Sequence, residues 1–238
     1  MHRLILAAVL LSLLGHQAGA QSRLKQNSLE AGFLFGITLY SGDLTDDPVE
    51  VKETHPGYGA FVRYGFNRNL ALKGHVYAGT ISGDDRNSAT LQNRNLRFSS
   101  SVVELGLTAE WAPFNPPHYN STGVHKVRFM PYLYGGIGRT FASVQAEYYG
   151  PPELRDRILR VPLPEPDLPT QFWMTPVGLG LRADLFERVV LGAEMGWRPV
   201  FSDAIDGIKQ NGNPLKGDWY YFAGVMVSFV LTDPQRFR

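Results

Sequence analysis

The run Trp219-Tyr-Tyr-Phe-Ala-Gly-Val-Met-Val-Ser-Phe-Val-Leu231 decides the fold of this 238-residue chain. Every second residue from Trp219 onward is apolar or aromatic, and the residues between them are smaller and more mixed. This period of two places the apolar set on one face of a β-strand. The run exceeds the roughly 9–11 residues that a tilted membrane-spanning strand needs. It therefore predicts a transmembrane strand, and its place near the chain's end is typical of bacterial outer-membrane barrels.

Seven earlier segments show the same alternation. The chain is also rich in glycine and aromatic residues (25 Gly and 12% aromatic), which is typical of antiparallel barrels. The fifth segment is the least regular, because Gly135, Gly136 and Gly138 blur its two faces. Together the eight segments predict an all-β fold, an eight-stranded antiparallel transmembrane barrel. The first seven are Leu29 to Leu39, Gly57 to Phe66, Leu70 to Ala78, Val103 to Trp111, Val127 to Val144, Trp173 to Leu185 and Val189 to Trp197.

The connections between these strands alternate in length. Those after strands two and six are short, and those after strands one, three, five and seven are long. Outer-membrane barrels have short periplasmic turns and long external loops, so the short side and both termini are expected in the periplasm. The segment from Pro113 to Lys126 is the exception, a long periplasmic connection. The longest external loop runs from Gln145 to Thr170, and its Pro-rich centre from Val161 to Pro169 is expected to be extended rather than helical.

All four tryptophans lie on the apolar face of their strands, near a strand end. Trp111 is placed at the periplasmic end, and Trp173, Trp197 and Trp219 at the outer end. This is the arrangement of two interfacial girdles in a membrane barrel. A soluble sandwich or lipocalin-like barrel, the alternative for eight such strands, gives no reason to sort tryptophan in this way.

The opposite faces of the strands collect ionisable side chains. On the lipid face at mid-bilayer, an Arg or Lys would cost about 2–4 kcal/mol, so these faces are expected to point inward. An eight-stranded barrel is just wide enough for side chains to fill. The interior is therefore predicted to be a packed plug of salt bridges and hydrogen bonds rather than a pore. Its members are Glu30, Arg63, Lys73, His75, Glu104, Glu110, Arg182, Asp184, Glu194 and Arg198.

Two prolines fall inside predicted strands, where a closed barrel has no free edge to hold them. Pro176 is expected to mark a bulge near the outer rim. Pro131 is expected at the periplasmic start of strand five.

Residues Met1 to Ala20 have the features of a secretory signal peptide, with a short basic start, an apolar centre and a small-residue cleavage site. The alternative, an uncleaved membrane anchor, is disfavoured because the apolar run is short. Residues 21–238 are expected to form one barrel domain surrounded by outer-membrane lipid. With 23 basic and 22 acidic residues, nucleic acid is not an expected partner. The chain has no cysteine, which excludes disulfides and thiol chemistry.

No residue pattern predicts a catalytic, cofactor or metal site. A lipid-modifying barrel enzyme would need a nucleophile and a base close together on the outer face, whereas His75 is expected inside the lumen. His118 and His125 lack a third ligand at metal spacing. Five loop acids could bind a cation at the external rim but lack a calcium-loop pattern, which favours solvated side chains. They are Asp43, Asp46, Asp47, Asp84 and Asp85.

Four segments, in this order and spacing, resemble the PorG-like outer-membrane barrels of the type IX secretion system of Bacteroidetes. They are Gly36…Tyr40-Ser-Gly-Asp-Leu44, Pro131-Tyr-Leu-Tyr-Gly-Gly-Ile-Gly138, Pro176-Val-Gly-Leu-Gly-Leu181 and Arg198-Pro-Val-Phe-Ser-Asp-Ala-Ile-Asp-Gly207. The resemblance implies a non-enzymatic part of the secretion and gliding machinery. It also implies association with a periplasmic ring built from a lipoprotein (PorK) and its partner (PorN).

If the barrel docks on such a ring, the long periplasmic connection is the expected contact, although it could also be only a long turn. Two other functions are compatible with the sequence, a structural or adhesive barrel acting through its external loops, and a lipid-modifying enzyme. The candidate contact residues are Pro113, Asn115, His118, Tyr119, His125 and Lys126.

Overall fold

The computed structural model describes residues 27–42, 44, 51–88, 90–114, 127–163, 165–166, 168–202, 204–208, 210–211 and 218–232. The leader predicted at residues 1–20 lies outside them. The nine strands are β1 (Ser28–Ser41), β2 (His55–Gly65), β3 (Leu70–Asp84), β4 (Leu96–Trp111), β5 (Arg128–Tyr148), β6 (Gln171–Met174), β7 (Val177–Asp184), β8 (Val189–Pro199) and β9 (Trp219–Val230). A helix, α1, covers Pro152–Ile158, and single 3₁₀ turns cover Val51–Glu53 and Asp85–Asn87. No helix of this part of the chain is long and apolar enough to cross a membrane.

The strands close into one antiparallel barrel. Neighbouring strands pair in chain order from β1 to β5 and from β7 to β9, β5 pairs with β7, and β9 pairs with β1. β6 and β7 both pair with β5 and together occupy one strand position in the ring, so the barrel is eight-stranded. The predicted eight-stranded barrel is confirmed, with Trp219–Val230 closing onto β1 as the seam.

The register of the barrel can be measured by moving from each residue to its partner on the neighbouring strand, once around the ring. Such a path starts at one residue of β5 and returns to β5 at a residue nearer the long loops. The path passes through Phe129, Ala183, Leu191, Val227, Phe33, Ala60, Val76, Leu105 and Arg139. Its two ends on β5 differ by ten residues, which is the shear of the barrel. With about 3.3 Å per residue and about 4.8 Å between strands, this shear over eight strands gives a tilt of about 40°. Each residue therefore climbs about 2.5 Å along the barrel axis.

The exterior of the barrel is apolar. Phe33 and Phe35 point outward with 55% and 57% of their surface exposed, while Leu34 between them is fully buried. The same alternation runs through the other strands, so a belt of exposed Phe, Leu, Ile and Val surrounds a filled interior. Such a surface is stable only in lipid. The protein therefore lies in the bacterial outer membrane, and the lipocalin-like alternative is excluded.

The tryptophans sit at the two edges of this belt. Trp111 pairs with Leu70 at the rim formed by the turns 66–69 and 185–188, which we name the short-turn rim. Trp219 pairs with Pro199 at the opposite long-loop rim, formed by the segments after β1, β3, β5 and β8. Trp173 pairs with Arg139 on the long-loop side, and Trp197 packs edge-on against Tyr221 with ring centroids 6.3 Å apart. The predicted girdles are confirmed.

Three strands continue past the belt, and the predicted loop boundaries there are wrong. β4 begins at Leu96 rather than Val103, β5 runs to Tyr148, and the loop after it contains α1. Above the belt, apolar residues such as Phe98 point inward and serines point outward, the reverse of the pattern in lipid. A search for strands with an apolar outer face therefore stops at the membrane surface, although the strands do not.

Both prolines are accommodated where the ladder is interrupted. Pro131 pairs with Leu181 of β7, but β4 ends at the pair Trp111–Leu133, so its other edge has no partner strand at that level. It lies near the short-turn start of β5, as predicted. Pro176 falls in the break between β6 and β7, and its carbonyl accepts a hydrogen bond of 3.0 Å from the amide of Gly136.

Candidate functional site

The interior of the barrel is the best-defined polar site in the chain, and its lowest layer centres on Glu30. The Glu30 carboxylate lies between two guanidinium groups. Arg63 Nη1 is 3.0 Å from Oε1, and Arg182 Nη2 is 2.6 Å from Oε2. Glu30 is on β1, Arg63 on β2 and Arg182 on β7, so the contact spans the lumen. Salt bridges thus connect strands that lie on opposite sides of the barrel.

The same network continues on the other side of the lumen. Arg63 Nε donates to Glu110 at 2.5 Å. Lys73 Nζ lies 3.4 Å from Glu110 and 2.5 Å from Glu194. The Tyr132 hydroxyl donates to the same Glu194 oxygen at 3.0 Å. Lys73 is only 1% exposed, so its charge depends on these carboxylates rather than on water.

A fourth pair completes this layer, since Arg128 Nε donates to Asp184 at 2.6 Å. Buried charges are tolerated only when paired, and this layer pairs every carboxylate with at least one cation. Its formal charge is zero, because four acids face four bases. The acids are Glu30, Glu110, Asp184 and Glu194, and the bases are Arg63, Lys73, Arg128 and Arg182.

A second layer is organised around Glu104. His75 Nε2 lies 2.6 Å from Oε1, while Oε2 accepts a hydrogen bond of 2.8 Å from the Tyr220 hydroxyl and one of 3.3 Å from Arg198 Nε. The fully buried Arg198 guanidinium also sits 5.5 Å from the ring centroid of Phe222. Aromatic faces and one carboxylate therefore hold this cation in the middle of the barrel.

The mouth of the barrel is closed by residues 204–208 of the β8–β9 connection. The Tyr40 hydroxyl lies 2.9 Å from Asp206 and 2.7 Å from Asp218. The amide of Ile205 donates to Asp218 and that of Ile208 to Asp206, at 3.2 and 2.9 Å. Apolar side chains from four strands and from the segment after β1 pack around residues 204–208. They include Leu44, Ile81, Leu96, Phe98, Val102, Ala142, Ala146 and Met174.

The predicted plug is thus confirmed for the described residues, with an ionic part below and an apolar cap above. Every ionisable residue predicted for the lumen lies in it. The sequence did not predict the cap, because its inward residues belong to the strand extensions and to a loop. The alternation of Ile81, Leu96 and Phe98 with polar neighbours was the available signal.

At the long-loop rim, the predicted solvated acids are partly structural, which corrects that interpretation. Asp85 is fully buried and accepts hydrogen bonds from Arg94 Nη2 at 2.8 Å and from the amide of Leu96 at 2.8 Å. Asp84 accepts a hydrogen bond of 3.2 Å from the Tyr149 hydroxyl. Burial and the nearby Asp84 carboxylate raise the pKa of Tyr149 to about 12. Asp43, Asp46 and Asp47 lie outside the described residues.

The same rim holds a serine beside a histidine, which bears on the enzyme alternative. His55 Nε2 lies 2.7 Å from Ser82 Oγ, and the Glu53 carboxylate contacts the same hydroxyl. In a hydrolase the acid orients the histidine, whereas here it binds the serine. The residues therefore form a structural tie between the β1–β2 connection and β3. Within the described part of the chain, no group of three or more His, Asp or Glu could hold a metal ion.

Of the predicted partner-contact residues, the structure describes Pro113. It follows Ala112, whose amide donates to the carbonyl of Asn69 at 2.8 Å, so the connection leaves the barrel beside the turn 66–69. Phe114 next to it is 72% exposed. The other five residues, Asn115, His118, Tyr119, His125 and Lys126, lie outside the described residues.

A family model described as a domain of unknown function, DUF6089, matches residues 5–237. No curated protein matches the chain significantly. Among solved structures, the N-terminal β-barrel domain of OprF from Pseudomonas aeruginosa is similar at 15% identity and a TM-score of 0.43, over 87% of this chain and 98% of that one. Neisserial surface protein A matches at 11% and 0.45, over 87% and 97%. OprG from Pseudomonas aeruginosa matches at 11% and 0.42, over 86% and 97%.

Proposed function

This chain belongs to the DUF6089 family, and we propose that it is a non-enzymatic barrel of the type IX secretion and gliding machinery that docks on a periplasmic ring. The observation that carries the proposal is the filled lumen. In the part of the chain that the structure describes, paired charges occupy the interior and an apolar cap lies above them, so we do not expect the barrel to conduct a solute. A barrel built in this way acts through its surfaces, as an anchor for other components in the outer membrane.

The four segments that resemble PorG-like barrels support the proposal, because two of them meet in the structure. Tyr40 and Leu44 of the first segment pack against Ile205 of the fourth, and Tyr40 bonds Asp206 of the fourth. Arg198, which opens the fourth segment, holds the centre of the lumen. The resemblance therefore falls on residues that build the plug.

The proposed ring would consist of a lipoprotein and its partner, of the PorK and PorN kind. The periplasmic face offers two turns, 66–69 and 185–188, and the connection between Trp111 and Arg128. Both turns are short, and part of their backbone is hydrogen-bonded within the turn itself, as from Phe66 to Leu70 and from Phe186 to Val189. The connection is the longest segment on that face, and its first exposed side chain is Phe114. We assign the ring contact to residues 113–126.

A pull-down from detergent-solubilised outer membrane tests this assignment. A variant in which a short turn replaces residues 113–126 should lose the ring proteins and keep the heat-modifiable gel mobility of a folded barrel. Replacing α1 on the opposite face is the matched control and should leave co-purification unchanged. If the ring proteins still co-purify with the turn variant, the assigned contact is wrong. If a deletion strain secretes normally, the function itself is wrong.

One observation favours a second function, an adhesive or structural role at the cell surface. The strands β3, β4 and β5 continue above the belt into a folded platform with buried charges and the helix α1. Such order outside the membrane can present a binding surface. Normal secretion in the deletion strain together with a change in surface attachment would favour this second function.

A further inference from the structure

Within the described residues, one charged side chain lies in the apolar belt on the outer face of the barrel. Arg139 occupies an outward position of β5, between the outward residues Ile137 and Phe141, which are 54% and 39% exposed. No other Arg, Lys, Asp or Glu occupies an outward position of the described strands between Phe129 and the Ser101–Ser143 pair. An arginine in that position must find an anion or water.

The depth of Arg139 follows from the shear of the barrel. Phe129 lies at the lower edge of the apolar belt, and Arg139 is ten residues above it on the same strand. At about 2.5 Å of climb per residue, Arg139 is about 25 Å above that edge. The apolar band of such barrels is about 25 Å tall. Arg139 therefore sits at the outer edge of the hydrocarbon, where lipid headgroups begin.

The neighbours of Arg139 confirm this level and orient its guanidinium. Trp173 of the outer girdle is its ladder partner, and Arg139 Cζ lies 5.2 Å from the Trp173 ring centroid. On the other side its partner is the apolar Leu105. The aromatic face of Trp173 thus holds the guanidinium at the level of the outer girdle.

Within the described part of the chain, Arg139 has no acidic partner, and its buried Nε has no hydrogen-bond acceptor. This contrasts with the lumen, where Arg63, Arg128, Arg182 and Arg198 all contact carboxylates. A planar guanidinium with free donors matches the oxygens of a phosphate. The apolar surface below it, with Ile137 and Leu105, can contact acyl chains.

We propose that Arg139 and Trp173 form a binding site for the phosphate of an anionic lipid in the outer leaflet. Arg139 would bind the phosphate oxygens, Trp173 would hold the guanidinium at the interface, and the lipid's chains would lie along β4 and β5. The site is independent of the proposed secretion role, because it faces lipid rather than the periplasm.

Native mass spectrometry of the full-length mature barrel in nonionic detergent tests the site. The probes are phosphatidylglycerol and phosphatidylcholine with identical acyl chains. The wild-type barrel should retain the anionic lipid preferentially, and Arg139→Gln should lower that preference about fivefold. Arg139→Lys should keep part of it, since it keeps the charge but not the fork. Arg97→Gln is the matched control, because Arg97 lies on the same outer face of β4–β5 but above the belt, paired with Glu147.

Heat-modifiable mobility shows whether each variant is folded. If Arg139→Gln does not fold, Arg139→Lys and Trp173→Leu carry the test, and both should show a reduced preference. Equal retention of the two lipids by the wild-type barrel, or an unchanged preference in folded Arg139→Gln, would overturn the proposal. Inorganic phosphate at millimolar concentration should not displace the lipid, and complete displacement would show that the site recognises free phosphate instead.

Discussion

The ionic layer of the lumen predicts a large and specific effect when Lys73 is replaced by methionine. Lys73 is 1% exposed and lies 2.5 Å from Glu194 and 3.4 Å from Glu110. Methionine keeps much of the side-chain volume but removes the cation. Glu110 retains Arg63 at 2.5 Å, whereas Glu194 is left with the Tyr132 hydroxyl as its hydrogen-bond donor. The Glu194 carboxylate then lies in the lumen without a cation.

Removing one partner of a buried ion pair costs about 3–5 kcal/mol, because the other charge has lost both water and partner. We expect Lys73→Met to lower the free energy of unfolding by about that amount. The double variant Lys73→Met/Glu194→Gln should recover at least half of the loss, since a buried neutral amide is far less costly than a buried carboxylate. The exposed pair Arg97–Glu147 is the control, and Arg97→Gln should change stability by less than about 1 kcal/mol.

Urea titration of the vesicle-folded barrel, followed by tryptophan fluorescence, measures these differences. All four forms must first show heat-modifiable mobility, so that unfolding starts from a closed barrel. If Lys73→Met costs no more than Arg97→Gln, the lumen is wet and its charges are screened. If the double variant is as unstable as Lys73→Met, the loss comes from packing rather than from an unpaired charge. Either result would refute the ionic account of the plug.

Three further predictions concern closure, conduction and the outer rim. Gly36→Val should prevent barrel closure and abolish heat-modifiable mobility, because a Cβ there would lie 2.0 Å from the carbonyl oxygen of Ala223 on the seam strand. The wild-type barrel should show no stable channel conductance in a planar lipid bilayer, because its lumen is filled. Asp84→Asn should lower the pKa of Tyr149 from about 12 toward its usual value near 10, as followed by tyrosinate absorbance. In the wild-type barrel, any stability due to this raised pKa is complete below about pH 10 and is lost as pH rises through about 12.

The sequence predicted the barrel because the membrane imposes one rule on every strand within it. A lipid-facing side chain must be apolar, so the alternation of apolar residues predicts that Phe33, Phe35 and Val225 point outward, as they do. The charged residues on the opposite faces were then predicted to point inward. This prediction is confirmed, although the sequence did not predict which acid pairs with which base. Which acid meets which base depends on register around the whole ring. Arg182 meets Glu30 across the lumen, a contact that no spacing along the chain encodes.

Outside the membrane the rule changes, and prediction failed there for that reason. The inward side chains of β4 above the belt, Leu96, Phe98 and Val102, are apolar as in a soluble protein. Their outward neighbours Ser99 and Ser101 are polar, so the same alternation has the opposite meaning. The reversal marks the membrane surface on β4. An interpretation that allowed both polarities would have extended the strand to Leu96 and found the cap.

Arg139 shows what no single-strand pattern can supply. Its neighbours Gly136 and Gly138 blur the alternation of β5, so the sequence did not assign it to either face. Its depth is also a property of the closed ring. Ladder partners connect Phe129 at one edge of the belt to Arg139 at the other, although both are on the same strand. In a barrel without shear, the path of ladder partners that starts at Phe129 would return to Phe129 instead of reaching Arg139. The tilt of about 40° converts the ten-residue offset into the full height of the apolar band, and only then does an outward arginine become an interfacial one.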